Sequence, residues 1–141
     1  MISCYTNSNL QPILSVWERS VKHTHHFLRE EDFNRLKYIL PSIMKQVTLY
    51  TFTVDNQVAG FLGVSTEEIE MLFVDPLYIG KGVGKALLLF ALNQLKLTQV
   101  SVNEENTKAL DFYKHFGFNI TNRSLIDGFG FKYPILHLKK E

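Results

Sequence analysis

The sequence predicts an α+β fold built on a mixed sheet, and three observations carry that prediction. Residues 69–74 form a short apolar run stopped by Asp75-Pro76, residues 83–97 form a longer run without a breaker, and a second short run follows at 99–102. This is a strand, a helix and a strand, an order that predicts a parallel pair joined by a right-handed crossover. Ahead of it, two strand runs flank Asp55-Asn56, and behind it come one more helical stretch and two closing runs. The full order is β-α-α-β-β-β-α-β-α-β-β.

Each element has its own warrant. Residues 1–5 read as a short edge strand. Ser8 or Asn9 caps the first helix, with Pro12 in its first turn. Ile13, Val16, Trp17, Ser20, Val21 and Thr24 share one helical stripe, and the helix is expected to end between His23 and Phe27. A second helix runs from about Arg29 to Ile39 or Met44, burying Phe33, Leu36, Ile39 and Leu40, with Pro41 disturbing its end. Residues 49–54 and 58–64 alternate around Asp55-Asn56, a pair that tolerates left-handed turn geometry, so they form an antiparallel hairpin. Residues 83–97 are apolar on most sides, hence a buried helix. Asn106 starts the last helix, in which Ala109, Leu110, Phe112, Tyr113 and Phe116 recur at helical spacing until Gly117 ends it. Residues 118–124 and 132–138 supply the closing strands, on either side of a loop around Asp127-Gly128-Phe129-Gly130.

Composition narrows the function classes. A chain of 141 residues, 45% hydrophobic and with a formal charge of +1, is expected to be one domain with a proper core. It has no basic bias to suggest nucleic acid. Cys4 is the only cysteine, so there is no disulfide framework and no cysteine metal site. Residues 1–12 lack a signal sequence, and the longest apolar run, 86–92, is far too short to span a bilayer. The expected setting is the cytoplasm, without a membrane partner, as monomer or homodimer.

The loop Tyr78-Ile79-Gly80-Lys81-Gly82-Val83-Gly84 between strand and helix is where a ligand is expected. The first amides of a helix have no intrahelical partner and point at whatever sits there. Glycine lets the backbone bend and approach a ligand closely, and Lys81 and Lys85 add positive charge. A phosphate fits this chemistry, and a pyrophosphate could use several amides at once. Two known glycine motifs do not fit. A Walker loop needs Gly where Ile79 stands and Ser or Thr where Ala86 stands, and the dinucleotide fingerprint would place its last glycine on Lys85 or Leu87.

Gly80-x-Gly82-x-Gly84 after Val74-Asp75-Pro76 resembles the pyrophosphate loop of the GNAT superfamily of acyl-coenzyme A-dependent N-acetyltransferases, which reads Arg/Gln-x-x-Gly-x-Gly/Ala. Gly82 and Gly84 match the required glycines, and Ile79 stands where the leading Arg or Gln would be. A second block, residues 103–118, resembles the superfamily pattern Asn-x-x-Ala-x-x-Phe-Tyr-x-x-x-Gly-Phe at Asn106, Ala109, Phe112, Tyr113, Gly117 and Phe118. The resemblance covers essentially the whole chain. It implies a mixed, largely antiparallel sheet with a central parallel β-α-β crossover, helices on both faces and a single domain over residues 1–141. It also implies acetyl-coenzyme A (acetyl-CoA) as co-substrate, an amine acceptor and no metal.

Carried over residue by residue, the resemblance implies that Ile79, Gly80, Lys81, Gly82, Val83, Gly84 and Lys85 border the pyrophosphate. Main-chain amides of Leu72, Phe73 and Val74 hold the pantetheine and the acyl carbonyl, where the strand of residues 69–74 and its parallel neighbour splay apart. Asn106 is either a plain N-cap or a contact to the pantetheine arm, and one side chain can do both. Tyr113, two turns further on the same face, is either a packing aromatic or the acid that meets the departing thiolate, since aminolysis of a thioester needs a donor beside the sulfur.

The amine must also lose a proton, because an ammonium of lysine type has a pKa of about 10.4. Glu70, the one acid in its strand, is a candidate base whose carboxyl burial would raise towards a useful range; the bland alternative is a carboxylate on the solvent face. His23, His25 and His26 suggest metal by number alone, but no carboxylate-histidine motif accompanies them. The segment from Trp17 to Leu28 resembles the first-helix region of a bacterial GNAT subgroup, which makes His25 a candidate acceptor-side base or a structural histidine. The sequence thus points to direct acetyl transfer from acetyl-CoA to a primary amine, with a non-catalytic acyl-CoA-binding module as the alternative.

Overall fold

The computed structural model describes residues 1–24, 28–128 and 130–141. Its elements are β1 (Ile2–Cys4), α1 (Gln11–Thr24), α2 (Glu30–Met44), β2 (Thr48–Val54), β3 (Gln57–Val64), β4 (Ile69–Val74), α3 (Val83–Asn93), β5 (Gln99–Asn103), α4 (Thr107–His115), β6 (Phe118–Ser124) and β7 (Ile135–Lys140), with one 3-10 turn at Pro76–Tyr78. They form a seven-stranded sheet in the order β1-β2-β3-β4-β5-β7-β6. Every neighbouring pair is antiparallel except β4 and β5. The expected α+β class, the central parallel crossover and the largely antiparallel sheet are all present.

Helices cover both faces because each buries one apolar side against the sheet. On one face Ile13, Val16, Trp17 and Val21 of α1 and Leu40 and Met44 of α2 pack on Leu49, Phe61 and Met71. On the other, Val83, Leu87, Leu88 and Ala91 of α3 and Tyr113 of α4 pack on Leu62, Ile69, Val100, Leu136 and Leu138. Local signals act as the sequence predicts. Asn9 Oδ1 accepts the Gln11 N–H at 3.1 Å, and Asn106 Oδ1 accepts the Ala109 N–H at 3.2 Å. Asp55 (φ 50) and Asn56 (φ 63) make the left-handed turn of the β2–β3 hairpin.

Helix α2 reaches Met44, the later of its two expected ends, by running through Pro41; the buried flanks Leu40 and Met44 hold it in register against the lost hydrogen bond. Two boundaries differ from expectation. Helix α3 stops at Asn93 rather than 97, because Lys96 turns left-handed (φ 58) and the Leu97 N–H closes on Ala91 O at 3.0 Å. Strand β7 begins at Ile135 rather than 132, since the preceding residues are held elsewhere: the Tyr133 hydroxyl donates to Asp32 Oδ2 at 2.6 Å, and Pro134 O accepts from Glu104 N at 2.8 Å.

Two features position the site. β4 pairs with β3 along its length, from Ile69 opposite Val64 to Val74 opposite Gly60, yet meets β5 at the single rung Ile69↔Val100. Beyond that rung β4 and β5 diverge. At the far end of β4, Asp75, only 2% exposed, accepts from the Leu77 N–H at 3.1 Å and from the Arg19 guanidinium. This pins α1 to the mouth of the glycine loop.

Candidate active site

The glycine loop takes the shape its residues predict. Gly80 and Gly82 both sit at φ +81 with nothing within 4 Å of where a Cβ would be, so the loop is open on that side. Gly82 is the N-cap of α3, and the first helical bond is Ala86 N–H to Gly82 O at 3.0 Å. The amides of Val83, Gly84 and Lys85 therefore precede the helical ladder and are available to an anion. The Val83 side chain is buried in the core, so that residue offers main chain only.

A cavity of about 270 Å³ begins beside this loop. Leu72, Phe73 and Val74 of β4, Ile79, Gly84, Asn106 and Tyr113 line it. Leu72, Phe73, Asn106 and Tyr113 also line a second cavity of about 110 Å³ lying between β4 and β5, where the strands diverge. Glu70, Met71, Phe73 and Asn103 belong both to this gap and to a third cavity of about 400 Å³ between the sheet and α1 and α2. Shared walls thus join a loop-side space, a gap through the sheet and an apolar space on the opposite face.

Tyr113 stands at the first junction and Glu70 at the second. Tyr113 is 5% exposed and packs edge-on against Phe112 and Phe118; burial pushes its phenol well above the ordinary tyrosine value, so it keeps its proton at neutral pH. Of the two readings of Glu70, the structure gives the exposed one. The register with β3 shifts here, Val64 opposite Ile69 and Gly63 opposite Met71, so Glu70 is the extra residue of a bulge that sends its two neighbours into opposite cores and leaves its own side chain towards the gap. It makes no hydrogen bond or ion pair among the described residues.

The remaining candidates divide. Ile79 is 54% exposed and faces the first cavity. Gly80, Lys81 and Lys85 are exposed around the loop but line none of these three cavities. His25 lies outside the described residues. Asn106 is both cap and cavity wall.

Other wall residues carry little sequence signal. Ser20 and Thr24 line the first cavity from a stripe that reads as core, and Lys108 lies just after the Asn106 cap. Asn103, Asp127 and Tyr133 line the third cavity. Tyr133 is fixed by Asp32, whose carboxyl is held below the usual range chiefly by the tyrosine hydroxyl, with Arg29 adding to the effect. Among the described residues no group of histidine, cysteine and acidic side chains could hold a metal ion.

Comparison with known proteins agrees with this geometry. Residues 18–129 match the model of the acetyltransferase (GNAT) domain family. The chain is 35% identical over 129 residues to peptidyl-lysine N-acetyltransferase YjaB of Salmonella typhimurium, covering 91% of this chain and 89% of that protein. The solution structure of apo YjaB from Escherichia coli superposes with a TM-score of 0.87 at 34% identity, over 99% of this chain and 97% of the other. The PaiA N-acetyltransferase of Thermoplasma acidophilum, solved in complex with coenzyme A, shares the fold at a TM-score of 0.72 and 22% identity, over 100% and 99% of the two chains. With the glycine loop, the diverging parallel pair and this family match over most of its length, the chain belongs to the GNAT acetyltransferases and is an N-acetyltransferase.

Proposed function

We propose that the protein, as a single domain, binds acetyl-CoA and a lysine side chain of a peptide or protein in one cleft and moves the acetyl group directly between them. The observation that carries this reading is the run of three cavities with shared walls, Tyr113 at one junction and Glu70 at the other. In it the pyrophosphate meets the amides of Val83, Gly84 and Lys85, and the pantetheine follows Leu72, Phe73, Val74 and Asn106 into the gap. Gly80, Gly82 and Ile79 shape the loop, while Lys81 and Lys85 add long-range attraction. The amine arrives from the opposite face past Glu70, and Tyr113 donates to the leaving sulfur. The relatives named for peptidyl-lysine acetylation support the acceptor class. Cys4 is exposed on the edge strand β1, which supports direct attack over an acyl-enzyme. The reading places the protein in the cytoplasm, with no resident metal.

The test is calorimetric titration with acetyl-CoA, with dephospho-coenzyme A and ATP as controls, followed by thiol release against a panel of amines that includes lysine peptides. Binding with amine-dependent thiol release supports the transferase; binding without release from any amine favours the acyl-CoA-binding module, which the apolar Ile79 at the cavity mouth mildly favours. Two variants sharpen the test. Ile79→Arg should tighten acetyl-CoA binding by a few-fold, the scale of one exposed charge contact of about 1 kcal/mol; unchanged or weaker binding would show that this position does not face the phosphates. Glu70→Gln should lower turnover at neutral pH by roughly 10²-fold without changing acetyl-CoA affinity, and a wild-type rate would exclude Glu70 as the base.

A further inference from the structure

The acetyl transfer proposed above releases one proton per turnover, and beyond Glu70 a chain of three side chains leads from the gap to the sheet edge. Ser101 of β5 lines the gap between β4 and β5. Its Oγ lies 2.9 Å from His137 Nδ1 on β7. On the other side of the ring, His137 Nε2 lies 2.7 Å from Ser124 Oγ at the end of β6, the edge strand of the sheet. A neutral imidazole donates from one nitrogen and accepts at the other, so this chain of three side chains has a direction, and passing one proton along it reverses every bond.

We infer that Ser101, His137 and Ser124 form a proton relay that carries the acceptor amine's proton from the cleft to the sheet edge. In the step, Glu70 takes the ammonium N–H proton and passes it to Ser101 Oγ across the gap that both line, while the Ser101 hydroxyl proton moves to His137 Nδ1. The Nε2 proton then passes to Ser124 Oγ, whose own hydroxyl proton goes to water. The neutral amine attacks the thioester, the C–N bond forms and the C–S bond breaks. The second nitrogen proton makes good the one that Tyr113 gives to sulfur. Ammonium and acetyl thioester thus become amide, thiol and one released proton. His137 acts through Ser101 and never touches the amine, so it is a positioning residue.

Glu68 stands beside the start of the chain: burial and the neighbouring Glu70 push its carboxyl upward, while the His137 ring and a hydrogen bond with the Ser101 side chain act the other way. β5 and β6 present the serine hydroxyls, and neither ionises near neutral pH.

The relay rests on the transferase reading, and the experiment separates their failures. Wild type, His137→Gln and Ser101→Ala are compared as full-length proteins for thermal unfolding, acetyl-CoA affinity, and kcat and KM against pH with one lysine peptide. Gln keeps a donor and an acceptor but carries no proton, so His137→Gln should fold and bind acetyl-CoA as wild type does. Its kcat should fall at least tenfold with KM little changed, and its dependence on pH should differ from that of wild type. Ser101→Ala, which keeps the histidine but cuts it from the cleft, should show the same loss, and added free imidazole should restore part of the His137→Gln rate. An active wild type whose variants keep its rate and pH profile overturns the relay alone. A wild type without amine-dependent thiol release overturns the relay together with the transferase reading.

Discussion

Tyr113→Phe should lower kcat by roughly 10²–10⁴-fold, the span of general acid catalysis, with acetyl-CoA affinity nearly unchanged. The asymmetry follows from where the side chain sits. Its ring is part of the core, touching Phe112 and Phe118, and phenylalanine keeps that packing. Only the hydroxyl is lost, at the junction of the loop-side cavity and the gap between β4 and β5. Because burial keeps the phenol protonated, the wild-type group serves as a donor at neutral pH and not as a base. A hydroxyl that matters only once charge develops on sulfur changes the rate and not the ground-state affinity. Thiol-release kinetics alongside calorimetry read both quantities. Turnover within a factor of about two of wild type, far below the acid-catalytic span, would remove Tyr113 from the reaction.

Asp75→Ala should have the largest effect on stability, about 2–4 kcal/mol, summed from a capping bond and a charge-assisted pair to a buried carboxylate. Asp75 closes the β4 strand, caps the following turn through Leu77 and holds Arg19 of α1. The loss should appear as a melting temperature lower by roughly 7–14 °C for a chain of this size. Arg19→Ala removes the half-exposed partner and should cost less than Asp75→Ala, since the carboxylate keeps its bond to Leu77. Equal losses for the two variants would mean that the ion pair, and not the cap, carries the whole effect.

Much of the fold was legible because the signals were local. Asp55-Asn56 is a turn by its own conformational tolerance, Asn106 a cap by its own side chain, and Gly117 a stop by its positive φ. The glycine loop was legible for the same reason, as its shape lies in main-chain geometry that glycine permits. What failed or stayed open was set at a distance. Lys96 ends α3 in a conformation usually left to glycine, and nothing nearby in sequence announces it. Pro41 leaves the end of α2 open between Ile39 and Met44, and core contacts on both sides decide for the later one. Glu70 reads equally as buried or solvent-facing from its neighbours in the chain, and the choice is made by the bulge against β3 and by β5 moving away after one rung.

The site divides along the same line. The loop and the Asn106-to-Phe118 block sit in continuous sequence and could be read as units. The walls built by Ser20, Asn103, Tyr133 and the Ser101–His137–Ser124 chain come from five different parts of the sequence, and only the sheet brings them together.

The single rung between Ile69 and Val100 has a mechanical meaning as well. It makes the sheet two leaves, four strands on one side and three on the other, joined along the strand direction at one end of the seam. A molecule lodged in the open part of the seam touches both leaves and completes the joint that the backbone leaves unmade. Occupancy and cohesion are then one quantity: every factor of ten in free ligand above its dissociation constant adds about 1.4 kcal/mol to the intact fold. On the proposed reading the co-substrate would also act as a mortar, so acetyl-CoA should raise the melting temperature in step with its concentration.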